Sequence, residues 1–254
     1  METTTLAKEM EQHTYGIMND VEDKHWWFVG RRAILESFLA RTVESIRQPN
    51  STVRILDVGC GTGANLEMLK QYGESEGVDV SDDALEFCRK KGLKVHKGLA
   101  EELPFPDETF DLVTALDVVE HLDDDIAGLK EMLRVLKTGG KTLIFVPAFM
   151  WLWGVQDDIS NHRIRYTRKE IVERLEKAGF TIERATYANI TFFAPILAGR
   201  VFMKLTGIKP ESENNVNVSA LNGFFGKIFS SEKYWLKNAN FPFGVSIVIV
   251  AKKS

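Results

Sequence analysis

The stretch VRILDVGCGTGANLEMLKQYG, residues 53–73, restricts the fold more than any other part of the chain. A short apolar run leads into glycines at 59, 61 and 63, and apolar Leu66 and Leu69 follow at helical spacing. The run reads as a buried strand and the spaced leucines as one face of a helix. Strand, glycine turn and helix in direct succession belong to parallel sheets covered by helices on both faces. Glycines at such a turn let the backbone approach a ligand closely. The helix start beyond them presents N–H groups that have no partner within the helix.

The same alternation continues along the chain. EGVDVS (76–81) reads as a second strand, with Ser81 as N-cap of a helix DDALEFCRKKG that ends at Gly92. LKVHKG (93–98) and FDLVTALDVV (110–119) read as the third and fourth strands. DDDIAGLKEMLRVLKTGG (123–140) reads as a helix with acids at its start and glycines at its end, and KTLIFVP (141–147) as the fifth strand. TRKEIVERLEKAGF is a helix capped by Thr167, FTIERATYA (180–188) the sixth strand and GVSIVIVAKK (244–253) the seventh. The pattern predicts an α/β fold with a doubly wound, mostly parallel sheet. Two stretches break the rhythm, 147–166 and 189–243, and both are longer than ordinary connections. Residues 1–48 are expected to form a separate N-terminal helical segment and 49–254 the main domain.

Bulk composition excludes several classes. Of 254 residues 44% are apolar and the net charge is −4, which suits a globular chain and gives no basic surface for nucleic acid. The two cysteines, Cys60 and Cys88, have no CxxC spacing, so neither a disulfide framework nor a metal site is expected. METTTLAKEMEQHTYG lacks an apolar signal-peptide core, and no run reaches the roughly 18 apolar residues of a membrane span. A cytoplasmic location is the expectation.

The glycine loop alone is ambiguous. Read through Gly59, Gly61 and Ala64 it fits a dinucleotide fingerprint. Gly63 makes it GxGxG instead, and Asp57 inside the strand would repel a pyrophosphate but suit a cationic ligand. Asp79, ending the second strand, stands where a carboxylate accepts hydrogen bonds from a ribose diol.

Taken together, DVGCGTG, GVDVS, AEELPFPDETFDLV, DVVEHL and LKTGGKTLIFVP resemble the class I S-adenosylmethionine-dependent methyltransferases, in family order over residues 53–147. The resemblance implies a seven-stranded sheet whose last strand is antiparallel. It also implies that Gly59, Gly61 and Gly63 pass under the methionine part of S-adenosylmethionine, with Asp57 beside them. Asp79 and Val80 would hold the ribose, Ala100 and Glu101 the adenine, and Leu116 and Asp117 the methyl-donor side. S-adenosylhomocysteine would be the product. Leu99 stands where the family often has an acid.

EDKHWWFVGRR (22–32) is similar to an N-terminal signature that folds over the cofactor in such enzymes. Aromatic faces attract a sulfonium cation. Tyr15, Trp26, Trp27 and Phe28 are therefore expected to close the pocket, with Arg31 or Arg32 on the cofactor carboxylate. The other reading is that the aromatics pin a helix to the sheet.

For the acceptor, Asp158, His162, Arg165 and Tyr166 resemble a DxxxHxxRY element. His162 and Tyr166 are the catalytic candidates, and His121 is a weaker one. ITFFAPILAGRVFMKLTGI (190–208) and LNGFFGKIF (221–229) are apolar with interspersed cations. They are open to capping the acceptor pocket, forming a dimer face or lying at a membrane surface. The polar KPESENNVNVS between them reads as a loop. The expected activity is methyl transfer to a small-molecule or lipid-like acceptor at oxygen or nitrogen, by a monomer or homodimer. A cofactor-binding protein without methyl transfer is the alternative. A nicotinamide oxidoreductase is disfavoured by Asp57, by the FDLV to EHL block and by the closing strand.

Overall fold

The computed structural model describes residues 15, 16, 19, 21–207 and 219–254. The polar stretch 209–218 and the first 14 residues lie outside them. Seven strands form one sheet: β1 (Arg54–Val58), β2 (Glu74–Asp79), β3 (Val95–Lys97), β4 (Phe110–Leu116), β5 (Leu136–Pro147), β6 (Phe180–Ala188) and β7 (Ser246–Lys253). Their spatial order is β3-β2-β1-β4-β5-β7-β6. β7 is antiparallel to both neighbours and the remaining pairs are parallel. Ile55, Leu56, Val113, Ile144, Phe145 and Val248 are all fully buried, as strands covered on both faces require. The chain changes direction across the sheet between β1 and β4, and ligands of such sheets bind beyond the carboxyl ends of the strands at that point.

The helices are α1 (Trp26–Ile46), α2 (Ala64–Leu69), α3 (Asp82–Lys90), α4 (Asp125–Val135), α5 (Val155–Ile159), α6 (Arg168–Ala178), α7 (Phe193–Thr206) and α8 (Ser219–Leu236). Ser81 caps α3, and Thr167 caps α6 in a reciprocal box with Glu170. One expected boundary is wrong. The helix read through Gly140 stops at Val135, because Leu136 already pairs with Phe110 and the Thr109 amide takes the Val135 carbonyl at 2.8 Å. Gly139, at φ 81°, then lets β5 bulge into its second register, with Lys141 opposite Leu112.

α1 and α8 lie side by side in the same direction. Trp26 touches Gly226, Gly30 sits against Phe229, and the Arg41 guanidinium binds the Lys237 carbonyl. A methyl group on Gly30 would come within 2.3 Å of the Phe229 ring, so glycine is what lets the helices close. α7 contrasts with this. Its sequence is apolar, yet Val201, Phe202 and Leu205 are 46%, 59% and 82% exposed and Arg200 is its one buried residue.

Candidate cofactor and acceptor site

The glycine turn after β1 is held from the β2 side. Gly59 and Cys60 donate to the Val78 carbonyl at 2.8 and 3.1 Å. Gly61 donates to Asp79 Oδ2 at 2.9 Å, and Ser81 donates to Asp79 Oδ1 at 2.9 Å. The Cys88 thiol donates to the Gly61 carbonyl at 3.2 Å. Gly59, Gly61 and Gly63 have φ of 65°, 53° and 92°, values that favour glycine. At Gly59 and Gly63 an added Cβ would strike Val118 and Leu93 at 2.5 Å, whereas at Gly61 nothing lies within 4 Å. The middle of the turn is therefore open.

Asp57 lies buried behind the turn. The Thr114 hydroxyl donates to its Oδ1 at 2.6 Å, while Oδ2 has no hydrogen-bond partner among the described residues. Burial raises the Asp57 carboxyl to about 7 despite the Thr114 bond and the nearby Arg31 charge. Burial likewise raises Asp79.

The N-terminal segment is fastened to this turn by polar contacts. Thr62 donates to Glu22 Oε2 at 2.5 Å, and Arg32 donates to the Glu22 carbonyl at 2.6 Å. Arg31, 4% exposed, reaches Asn65 Oδ1 at 3.2 Å and Asp117 Oδ2 at 2.7 Å, and lies over the Phe145 ring. His25 Nδ1 accepts the Trp27 amide at 3.3 Å and caps α1; burial lowers its pKa, which keeps that nitrogen bare. Trp26 packs on Phe192, Phe225 and Phe229, and Trp27 stacks on Phe229 at 5.4 Å. Tyr15 is buried.

Beyond β4 and β5 a second polar cluster is gathered around Asp157. Its carboxylate accepts from the Gly154 amide at 2.7 Å and from Arg165 Nε at 2.7 Å, and binds His162 Nδ1 at 2.7 Å. Arg200 of α7 comes within 3.8 Å. Burial would raise Asp157, but the His162 and Arg165 contacts outweigh it and hold the carboxyl at about 2. His162 Nε2 stands 4.0 Å from Glu120 Oε1. Glu120 is fully buried, and burial pushes its carboxyl far up. His121, edge-on to His162 at 4.8 Å, is driven down to about 3 by burial and by its neighbour. The Tyr166 hydroxyl is spent on Asp125 at 2.9 Å and on the Val119 carbonyl at 3.3 Å. It is fully buried, and burial raises its pKa.

A hollow of about 540 Å³ lined by Arg47, Pro49, Asn50 and Tyr72 opens at the amino ends of β1 and β2. That is the wrong end of a parallel sheet for a ligand. The crevice at the glycine turn is the candidate site, and residues 56–144, which contain it, match the family model for a methyltransferase domain. Those residues are a methyltransferase domain, and the sheet around them has the class I methyltransferase fold. An uncharacterized protein of Methanocaldococcus jannaschii is 28% identical over 65% of this chain and 80% of its own length. The demethylmenaquinone methyltransferase of Chlorobaculum parvum is 35% identical over 53% of this chain and 55% of its own. A 2-methyl-6-phytyl-1,4-hydroquinone methyltransferase of Oryza sativa is 30% identical over 50% and 41%. The chain thus spans only about half of the two named methyltransferases. Among solved structures, a chain of the Haloferax volcanii complex between the Trm112 methyltransferase activator and a methyltransferase aligns with a TM-score of 0.63 at 20% identity. It covers 97% of this chain and 99% of that one. A SAM-dependent methyltransferase of Thermotoga maritima aligns at 0.60 and 23%, over 97% and 100%. Both share the fold, including the antiparallel last strand.

The methyltransferase domain brings most of the sequence candidates to one rim. Gly59, Gly61, Gly63, Asp57, Asp79, Asp117 and Arg31 lie around the turn through the contacts above. Val80 continues β2 and is half-buried, Leu116 ends β4 and is buried, and Asp117 turns the chain out at φ 61°. Ala100 is buried, and Glu101 is half-buried with its carboxyl raised by burial. His162 and Tyr166 sit in the cluster beyond β4 and β5, though the Tyr166 hydroxyl is committed to Asp125. Asp158, the acid of the DxxxHxxRY element, is exposed and accepts from Trp153 Nε1 at 2.9 Å, and the acid that holds His162 is the buried Asp157. The first helical turn after Gly154 aims position 157 inward, and two adjacent aspartates conceal which one it is. Glu22, Glu120 and Arg200 were not singled out by the sequence. Arg200 carried one available signal, a cation in the middle of an apolar helix.

Proposed function

We propose that this domain transfers a methyl group from S-adenosylmethionine to a small, apolar or lipid-tailed acceptor at oxygen or nitrogen. The observation that carries the cofactor half is Asp57. A buried carboxylate oxygen without a partner, behind an open glycine turn, suits an ammonium group. Arg31 of α1, bonded to Asn65 at the start of α2, suits the carboxylate of the same amino-acid moiety. Asp79 would exchange its backbone bonds for a ribose diol, with Val80 beside it, while Ala100 and Glu101 flank the base. Tyr15 and Trp27 would wall the site as the N-terminal segment closes, which excludes water. When bound, the cosubstrate supplies an electrophilic methyl group on a sulfonium cation.

On the acceptor side, His162 offers Nε2 to the O–H or N–H of the acceptor, because Asp157 occupies Nδ1. Tyr166 is a positioning residue that fixes the Val119–His121 turn. The relatives named for demethylmenaquinone and phytylhydroquinone support a ring with an apolar tail. The exposed apolar residues of α7 and α8 support such a tail and a peripheral contact with a lipid surface. No described helix is long and apolar enough to cross a membrane.

Calorimetry tests the cofactor half with S-adenosylmethionine, S-adenosylhomocysteine and NAD on wild type, Arg31→Met and Trp27→Ala. Micromolar binding of the sulfur ligands alone is expected, weakened about tenfold or more, roughly 1.4 kcal/mol, in Arg31→Met. NAD binding, or none by either sulfur ligand, would overturn it. Transfer of labelled methyl to a detergent-dispersed prenylated hydroquinone tests the acceptor. Binding without transfer to any hydroxyl or amine acceptor would instead favour a cofactor-binding protein with no methyl transfer.

A further inference from the structure

We propose that Glu120, His121 and His162 form a site for one divalent transition-metal cation. One ligand atom from each lies within 4.8 Å of the others. An ion bound at about 2.0–2.2 Å from each ligand needs only a modest contraction of that set. The cluster is built rather than incidental. Glu120 is fully buried, and neither of its carboxylate oxygens has a hydrogen-bond partner among the described residues. A carboxylate in that state is costly unless something completes it.

The histidines are set to complete it. Asp157 holds His162 Nδ1 at 2.7 Å and leaves Nε2 turned toward Glu120. A carboxylate on the far ring nitrogen is the usual way a ligating histidine is oriented. Glu120 and His121 come from one turn, Val119–His121, and His162 from another segment. Arg163 ties the two together, its amide donating to the Glu120 carbonyl at 2.8 Å and its Nε to the His121 carbonyl at 2.6 Å. The nearby cations are already matched, Arg31 by Asp117 and Arg165 by Asp157.

Two imidazoles and a carboxylate favour zinc, manganese, iron or cobalt over calcium or magnesium. Three protein ligands leave at least one position for water or for an oxygen of a second ligand. With the ion in place, an acceptor oxygen would meet the metal rather than Nε2. The site itself does not depend on methyl transfer.

The test is a titration of tag-free, chelator-treated full-length chain with Co²⁺, read by visible ligand-field absorption and by calorimetry. One Co²⁺ per chain is expected, displaced by Zn²⁺. Glu120→Gln and His121→Asn should each weaken it at least tenfold, while thermal unfolding and S-adenosylhomocysteine binding stay as in wild type. A wild-type chain that gives no ligand-field band and no binding at micromolar Co²⁺ overturns the proposal whatever the variants do. So does Co²⁺ binding that both variants retain undiminished.

Discussion

The two halves of the proposed site are built differently. The cofactor half is made from neighbours in sequence: a strand, three glycines at positive φ, and an aspartate at the end of the next strand. Its bonds are mostly backbone N–H groups received by one carboxylate or one carbonyl. The acceptor half is made from residues scattered over the chain, with Glu120, Asp157, His162 and Arg200 meeting as side chains. Substitution in the turn is limited by backbone geometry and close contact at the glycines, and in the cluster by the charges it would leave unmatched.

That difference sets the order of expected damage. Asp157→Ala leaves the Arg165 guanidinium in the interior without its counter-charge and His162 Nδ1 without its partner, and should cost about 3–5 kcal/mol in chemical unfolding. A loss below about 1 kcal/mol would mean that charge pairing is not what holds the cluster.

Asp57 offers a sharper test on the cofactor side. Its native pKa of about 7 lies above the ordinary 3.8, so between those values the folded chain holds a proton that the unfolded chain releases. Its contribution to stability is therefore full below pH ~4 and is lost as pH rises to ~7, by at most roughly 4 kcal/mol. Asp57→Asn keeps the Thr114 bond and should flatten that part of the wild-type profile. Because an ammonium ligand favours the ionised form, cofactor affinity should climb over the same pH range in wild type and not in the variant. Parallel profiles for the two proteins would remove Asp57 from the account.

The smallest effect is expected at the surface. Leu205→Asp on α7 should change stability by no more than about 0.5 kcal/mol. It should, however, reduce adsorption to anionic phospholipid vesicles several-fold. Equal adsorption by both proteins would leave α7 without a role at a lipid surface.

The same contrast explains what could be read from the sequence. β1, the glycine turn, β2 and the caps at Ser81 and Thr167 are local, and each is specified by residues a few positions apart. The end of α4 was misread because Leu136–Gly140 looks like a last helical turn with its lysine and terminating glycines, yet pairing with Phe110 decides it. HWWF was legible as an aromatic cluster but its partners were not. Phe192, Phe225 and Phe229 come from a distant insertion whose proximity no local pattern records. The choice of Asp157 over Asp158 likewise depends on which side of a five-residue helix faces Arg165.

The pairing of α1 with α8 bears on how the molecule is made. Gly30 and Phe229 are about two hundred positions apart, so α1, made early in synthesis, waits for α8 before it can settle. Contacts over such separations form late, after local strand and helix pairs have closed. During that interval the glycine turn and the sheet around it can assemble with the roof off. A chain cut short before residue 219 would then fold its central strands and leave the Trp27 ring without Phe229 and Trp26 with Phe192 alone of its three phenylalanines, a target for chaperones and proteases.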